Sequence, residues 1–192
     1  GSSMKEAKTI TDLGVQNVRV ITDAEAASGF YPVADKDLFD MEYWSLEQAK
    51  LSKVSPLPLQ GKVTVITGAG GAIGSAIVKV FETAGAEVVA VDINADALAK
   101  QGFSTKVLQK TIDLTKSDQI KELTKDILRQ YGGVDILVSN AGTAPQASIL
   151  DMDEELLRRS LDINFFAHFH LAQAIGRVFV AQGNSGQMLF NI

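Results

Sequence analysis

Cysteine is absent from the 192 residues. That removes any disulfide framework, any thiolate nucleophile and any thiolate metal site. Long apolar runs are absent as well. None approaches the roughly 18–20 residues that span a bilayer, and the first residues lack the basic and apolar regions of a signal peptide. Positive charge is in deficit: 18 Lys and Arg stand against 23 Asp and Glu, a net charge of −5. Neither nucleic acid nor an anionic membrane is therefore a default partner. Histidine occurs only twice, as His168 and His170. Two positions apart on a helix they point to different faces, so they do not share a metal, and no metal site is expected. With 46% hydrophobic and 21% charged residues the chain can build a core. The simplest reading is one cytoplasmic domain with an appendage.

The chain divides in character near residue 60. Residues 1–60 show no alternation of strands and helices and read as an appendage with a linker. Their best element is a helix from Asp35 to about Lys53, capped by Asp35 or Asp37 and crowded with Leu38, Phe39, Met41, Tyr43, Trp44, Leu46 and Leu51. That helix packs on the domain that follows or bridges to another domain or subunit. Ser55 to Gly61, with Pro56 and Pro58, reads as a stiff, extended linker.

Residues 61–192 alternate. Strands are expected at Val63–Thr67, Glu87–Asp92, Lys106–Thr111 and Val134–Ser139, with another beginning at Gln187. Helices are expected at Ile73–Ala84, with Ile73, Ile77, Val80 and Phe81 inward, and at Ala95–Gln101. A helix over Lys116–Gln130 carries Ile120, Leu123, Ile127 and Leu128 on one face, and a long one runs from Asp153 to about Gln182 with a break near Gly176. The acidic cluster Asp151, Asp153, Glu154 and Glu155 reads as capping of that last helix. Strands alternating with helices imply an α/β fold with a doubly wound parallel sheet.

The passage Val63-Thr64-Val65-Ile66-Thr67-Gly68-Ala69-Gly70-Gly71-Ala72-Ile73-Gly74 places a β-branched strand, a glycine-rich turn and a helix start in direct succession. A dinucleotide pyrophosphate needs that order: backbone must approach the phosphates, and a helix N-terminus must point free N–H groups at them. Gly68 permits the tight turn, Gly70 and Gly71 leave N–H groups unshielded, and Gly74 lets the helix pack close to the sheet. The alternative is a turn that is rich in glycine only for packing. An acid is next expected at the end of the second strand, to accept hydrogen bonds from the adenosine ribose, and Asp92 stands there, followed by Ile93. Its charge favours NAD over NADP, whose 2′-phosphate would meet a like charge. Asp92 as a mere cap of the next helix is the alternative.

These residues resemble the short-chain dehydrogenase/reductase family over Gly61 to Ile192. In the family's Thr-Gly-x-x-x-Gly-x-Gly turn, Thr67, Gly68, Ile73 and Gly74 match. Ala72 stands where the middle glycine is usual, with a methyl that would crowd the pyrophosphate and Gly71 beside it as relief. The resemblance implies that Asp113 and Leu114 meet the adenine and that Asn140, Ala141 and Gly142 steady the sheet and line the cofactor cleft. It implies that Asn164 is the catalytic asparagine that holds a water in a proton relay; a helix polar residue with a packing role is the alternative. The fold implied is Rossmann-like, truncated after the fifth strand.

The family's reaction is hydride transfer with a tyrosine acid/base, whose pKa a lysine four residues on lowers, and a serine that orients the substrate carbonyl. No such Tyr-x-x-x-Lys occurs: Tyr31, Tyr43 and Tyr131 are followed four residues on by Asp35, Glu47 and Asp135. The chain as given is thus expected to bind cofactor without catalysing the redox step. A non-catalytic nucleotide-binding or assembly module on the same fold is the second reading. Phe39 to Leu51 resembles the connector of bifunctional proteins that join a class II aldolase domain to a short-chain dehydrogenase, of the rhamnulose-1-phosphate aldolase type. That implies a small hydroxy-aldehyde or sugar-derived alcohol as substrate. Oligomeric state is left open, a homo-oligomer included.

Overall fold

The computed structural model describes residues 4–42 and 56–191. The chain forms two compact units, Gly1–Leu57 and Pro58–Ile192, each taken here by itself.

The first unit carries helix α1, Met4–Ala27, and helix α2, Asp35–Glu42. The long α1 is unexpected from a sequence that holds Gly14 and many β-branched residues. Two of its threonines turn their hydroxyls back onto the helix, Thr11 onto the Ala7 carbonyl at 3.0 Å and Thr22 onto that of Val18 at 2.8 Å. Bonded this way, their hydroxyls do not compete for the helical N–H groups. The expected helix at Asp35 does start there, but its first bond runs from the Leu38 amide to the Ala34 carbonyl, so Asp35 and Asp37 lie inside the first turn and do not cap it. Tyr43, Trp44, Leu46 and Leu51, with the rest of the expected helix to Lys53, lie outside the described residues.

The second unit is a five-stranded parallel sheet of β1 (Val63–Thr67), β2 (Glu87–Asp92), β3 (Leu108–Thr111), β4 (Ile136–Ser139) and β5 (Gln187–Phe190), in the order β3-β2-β1-β4-β5. Helices α3 (Ala72–Thr83), α4 (Ala95–Lys100), α5 (Ser117–Tyr131), α6 (Glu154–Leu161) and α7 (His168–Gln182) connect them. The doubly wound α/β sheet expected from the alternation is the fold observed. Residues 58–61, expected to be extended, instead form a turn, closed by the Lys62 amide on the Leu59 carbonyl at 3.0 Å.

Both faces of the sheet are covered, as continuous apolar strands require. Val63 and Val65 of β1, Val89 and Val91 of β2 and Leu137 of β4 join Ile120, Leu123 and Ile127 of α5 and Leu171, Ile175 and Val178 of α7 in one core. The alternate residues Ile66, Val88, Ala90 and Val138 form a second core with Val78 of α3 and Leu98 of α4. The side chains assigned inward on α3 need correction: Ile77 and Phe81 pack against the core, whereas Ile73 and Val80 are exposed. Leu128 likewise lies at the edge of the buried stripe of α5.

The expected break near Gly176 does not occur; α7 runs unbroken past it to Gln182. The irregularity lies earlier, where Asp162–Ala167 forms a π-turn between α6 and α7. Asp153 caps α6 by accepting from the Glu155 amide at 3.2 Å, as read from the acidic cluster.

Candidate dinucleotide site

The sheet winds outward from β1 in both directions, so β1 and β4 form the switch point at which a crevice opens beyond the strand ends. Gly68 ends β1 at φ +66°, and a Cβ there would lie 3.0 Å from the Ala141 Cα and from the Asn140 Nδ2. Buried Thr67 stitches the two strand ends together. Its hydroxyl oxygen accepts from the Asn140 amide at 2.9 Å and the Ala141 amide at 3.0 Å, and its carbonyl accepts from the Asn140 side chain at 3.0 Å.

The glycine turn is organised differently from the expectation. The Gly70 amide donates to Asp92 Oδ2 at 2.9 Å, and the Gly71 amide donates to the Gly68 carbonyl at 3.1 Å. Neither N–H is free for a phosphate. The open donors lie one step on. The N-cap Gly71 provides no side-chain cap, and the first intrahelical bond is from the Ser75 amide to the Gly71 carbonyl. The amides of Ala72, Ile73 and Gly74 therefore point out of the helix end without a partner among the described residues. Gly74 brings that end close to β1: a Cβ at this position would stand 2.0 Å from the Gly68 carbonyl oxygen.

Asp92 is partly buried at the end of β2. Besides Gly70, it accepts from the Asn94 amide through Oδ1 at 2.9 Å. Gln101, which the sequence reading passed over, donates to the Gly70 carbonyl at 2.8 Å, so the Gly70 peptide unit is held at both ends. Asp92, Ile93, Asp113, Leu114, Ala141 and Gly142 line one cleft of about 280 Å³. Gly68, Gly71, Ala72, Ile73, Gly74 and Asn140 line an adjoining recess of about 380 Å³, which also touches Asp92 and Gly142. Ile93 is 66% exposed, an apolar surface beside the carboxylate. Asp113 uses Oδ1 for the amide and hydroxyl of Thr115, at 3.0 and 2.7 Å, which leaves Oδ2 open. Every residue singled out for the cofactor thus borders the cleft or its adjoining recess, except Gly70, whose peptide is turned to Asp92 and Gln101.

Asn164 falls in the π-turn, a distortion that recurs at functional sites. Its side chain grips the backbone of the loop after β4: Oδ1 accepts from the Thr143 amide at 2.9 Å and Nδ2 donates to the Thr143 carbonyl at 2.6 Å. Four residues on, buried His168 meets the hydroxyl of buried Ser139 with Nδ1 at 2.6 Å. Burial holds the His168 pKa below the usual imidazole value, against the smaller opposing pull of the Ala141 backbone carbonyl, which favours the protonated ring. The sequence offers His168 as a packing or surface residue and not as a metal ligand shared with His170; the sole trace of its partner is a polar residue closing the apolar run of β4.

Among the described residues no cluster of His, Asp and Glu suits a metal, and no helix is long and apolar enough to cross a membrane.

Comparison with known proteins agrees with this fold. Residues 1–51 match the model of the second domain of class II aldolases. Over 131 residues the chain is 37% identical to a 3-oxoacyl-acyl-carrier-protein reductase of Thermotoga maritima, covering 66% of this chain and 53% of the relative. An uncharacterized oxidoreductase of Bacillus subtilis, YuxG, is 28% identical over 99% of this chain and 29% of its own length, so its match takes in both units. The crystal structure of a short-chain type dehydrogenase/reductase from Mycobacterium marinum superposes with a TM-score of 0.65 at 33% identity, covering 70% of this chain and 57% of that one. The chain spans about half the length of the first of these relatives. The short chain dehydrogenase model matches residues 62–190, more than half of the polypeptide, and the chain belongs to that family of oxidoreductases.

Proposed function

We propose that the second unit binds NAD and forms the cofactor half of a dehydrogenase acting on a small hydroxy-aldehyde or sugar-derived alcohol. One observation carries the cofactor reading: the unpartnered amides of Ala72, Ile73 and Gly74 face the same crevice as the carboxylate of Asp92. A helix end with three open donors suits a pyrophosphate. Gly68 and Gly74 leave the backbone bare beside it. Asp92 has lone pairs left for ribose hydroxyls after its two backbone bonds, and its charge disfavours a 2′-phosphate. Ile93 offers an apolar face to the adenine, and Asp113 and Leu114 bound the far side. Asn140, Ala141 and Gly142 form the opposite wall.

NAD, when bound, supplies the hydride acceptor. The chain's own residues bind and orient it. Asn164 fixes the loop at Thr143, and its part in a proton relay through a held water rests on the family resemblance. No tyrosine in these 192 residues has a lysine four positions on. The proton-transfer pair is therefore not among them, and the isolated chain is expected to bind NAD without turnover. The substrate class rests on the aldolase-type match at residues 1–51, since an aldolase releases small aldehydes that a dehydrogenase can consume.

Calorimetric titration with NAD and with NADP tests the reading. NAD binding with NADP weaker supports it; binding of neither rejects the cofactor assignment. A nucleotide-binding module without redox chemistry is distinguished by hydride transfer in a longer protein that includes this chain: absence of any transfer favours the module.

A further inference from the structure

Two ties join the π-turn and the start of α7 to the end of β4 and the loop that follows it. Asn164, in the π-turn, holds Thr143 of the loop, and His168, the first residue of α7, holds Ser139, the last residue of β4. Asn164 and His168 are four residues apart, and so are Ser139 and Thr143. Between the two anchored positions lie Asn140, Ala141 and Gly142, the wall of the dinucleotide crevice. We propose that His168 is a positioning residue for this wall, acting through Ser139, and that its removal loosens cofactor binding without touching the phosphate turn.

The supports are geometric. The Nδ1 to Oγ distance is 2.6 Å, and the histidine and serine are 7% and 0% exposed, so water does not replace either partner cheaply. Asn191, at the end of β5, donates its backbone amide to the Ser139 carbonyl at 3.0 Å and its side chain to Asn140 Oδ1 at 2.7 Å. The His168 ring also lies edge-on to Phe190 with centroids 6.1 Å apart. Ser139 is therefore fixed by its carbonyl to β5 and by its hydroxyl to α7, and the residues that follow it inherit both constraints. In contrast, Gly68–Gly74 are held by Asp92, Gln101 and Gly68 itself, with no bond to His168.

This inference rests on the NAD reading, and the test separates the two. The full 192-residue chain is titrated with NAD as His168→Leu, Ser139→Ala, the double variant and His168→Asn. Asparagine places a hydrogen-bonding atom near the position of Nδ1, so it restores the tie without the ring. The expected result is an affinity about tenfold weaker for each single variant, the double no worse than either, and His168→Asn within about twofold of the parent. Amide hydrogen exchange is followed alongside, without ligand. Exchange over Asn140–Thr143 quickens in His168→Leu and Ser139→Ala, while Gly68–Gly74 keeps its rate. Parent affinity in both single variants, or additive losses in the double, overturns the proposal. So does faster exchange spread evenly over the second unit, or failure of His168→Asn to recover. If the parent itself takes no NAD, the NAD reading falls and the cofactor role of His168 falls with it. The exchange pattern then still decides whether the pair holds the loop.

Discussion

Gly70 and Asp92, 22 residues apart in sequence, are joined by a 2.9 Å hydrogen bond from amide to carboxylate. The acid that the sequence assigns to the ribose is thus also the group that shapes the phosphate turn. Replacing it should disturb both ends of the adenosine diphosphate moiety. Asp92→Ala is expected to weaken NAD binding by more than tenfold, since a partly buried amide loses a charged acceptor along with the ribose contact. Asp92→Asn should lose less, and both should narrow the gap between NAD and NADP. Calorimetry with the two dinucleotides reads this directly; unchanged NAD affinity in Asp92→Ala would remove both roles.

Gly74→Ala tests the close packing of α3 on the end of β1. The added methyl would meet the Gly68 carbonyl oxygen at 2.0 Å, and backbone cannot yield as a flexible side chain does. A loss of about 3 kcal/mol or more is expected, with loss of NAD binding. Urea unfolding of the variant beside the parent measures it.

Thr64 is fully buried and its hydroxyl has no partner among the described residues. Thr64→Val keeps the shape and deletes the orphaned polar atom. A gain of about 1 kcal/mol is expected, visible as a higher urea midpoint at unchanged slope.

Burial lowers the pKa of His168 in the folded chain. A group with a depressed native pKa binds fewer protons folded than unfolded just below its ordinary value. Its contribution to stability is therefore whole above about pH 6.5 and declines as the pH falls toward the native pKa, where the decline levels off. His168→Asn should flatten that part of the profile. Urea midpoints measured between about pH 5 and 7.5 check the sign; a steeper profile in the variant would contradict it.

Much of the sheet could be read from residues alone. Strands β1 and β2 run over the residues expected of them, because β-branched runs between glycine-rich turns leave little choice. The tight turn at Gly68 and the close approach of the helix at Gly74 were also legible, since each answers a local backbone demand. What could not be read depends on partners distant in sequence. The Gly70 amide looked open until the fold brought Asp92 against it. His168 offered no sign of Ser139, 29 residues earlier. Ile73 and Val80 fit a helical stripe by spacing, but the buried face of α3 is centred on Gly74 and Val78. Helix α1 was missed because its β-branched residues and Gly14 argue against a helix one at a time, and the bonds of Thr11 and Thr22 back to their own helix are invisible to composition.

The π-turn at Asp162–Ala167 holds one residue more than an α-turn would over the same stretch. Deleting one residue from it would let the segment close into regular α-helix, and the helix that follows would keep its phase, with Leu171, Ile175 and Val178 still in the core. What the deletion would move is the bulge itself, and with it the Asn164 side chain that grips Thr143. The extra residue thus serves the loop after β4 rather than the core, and a single-residue deletion between Asp162 and Ala167 should loosen that loop while leaving the fold standing.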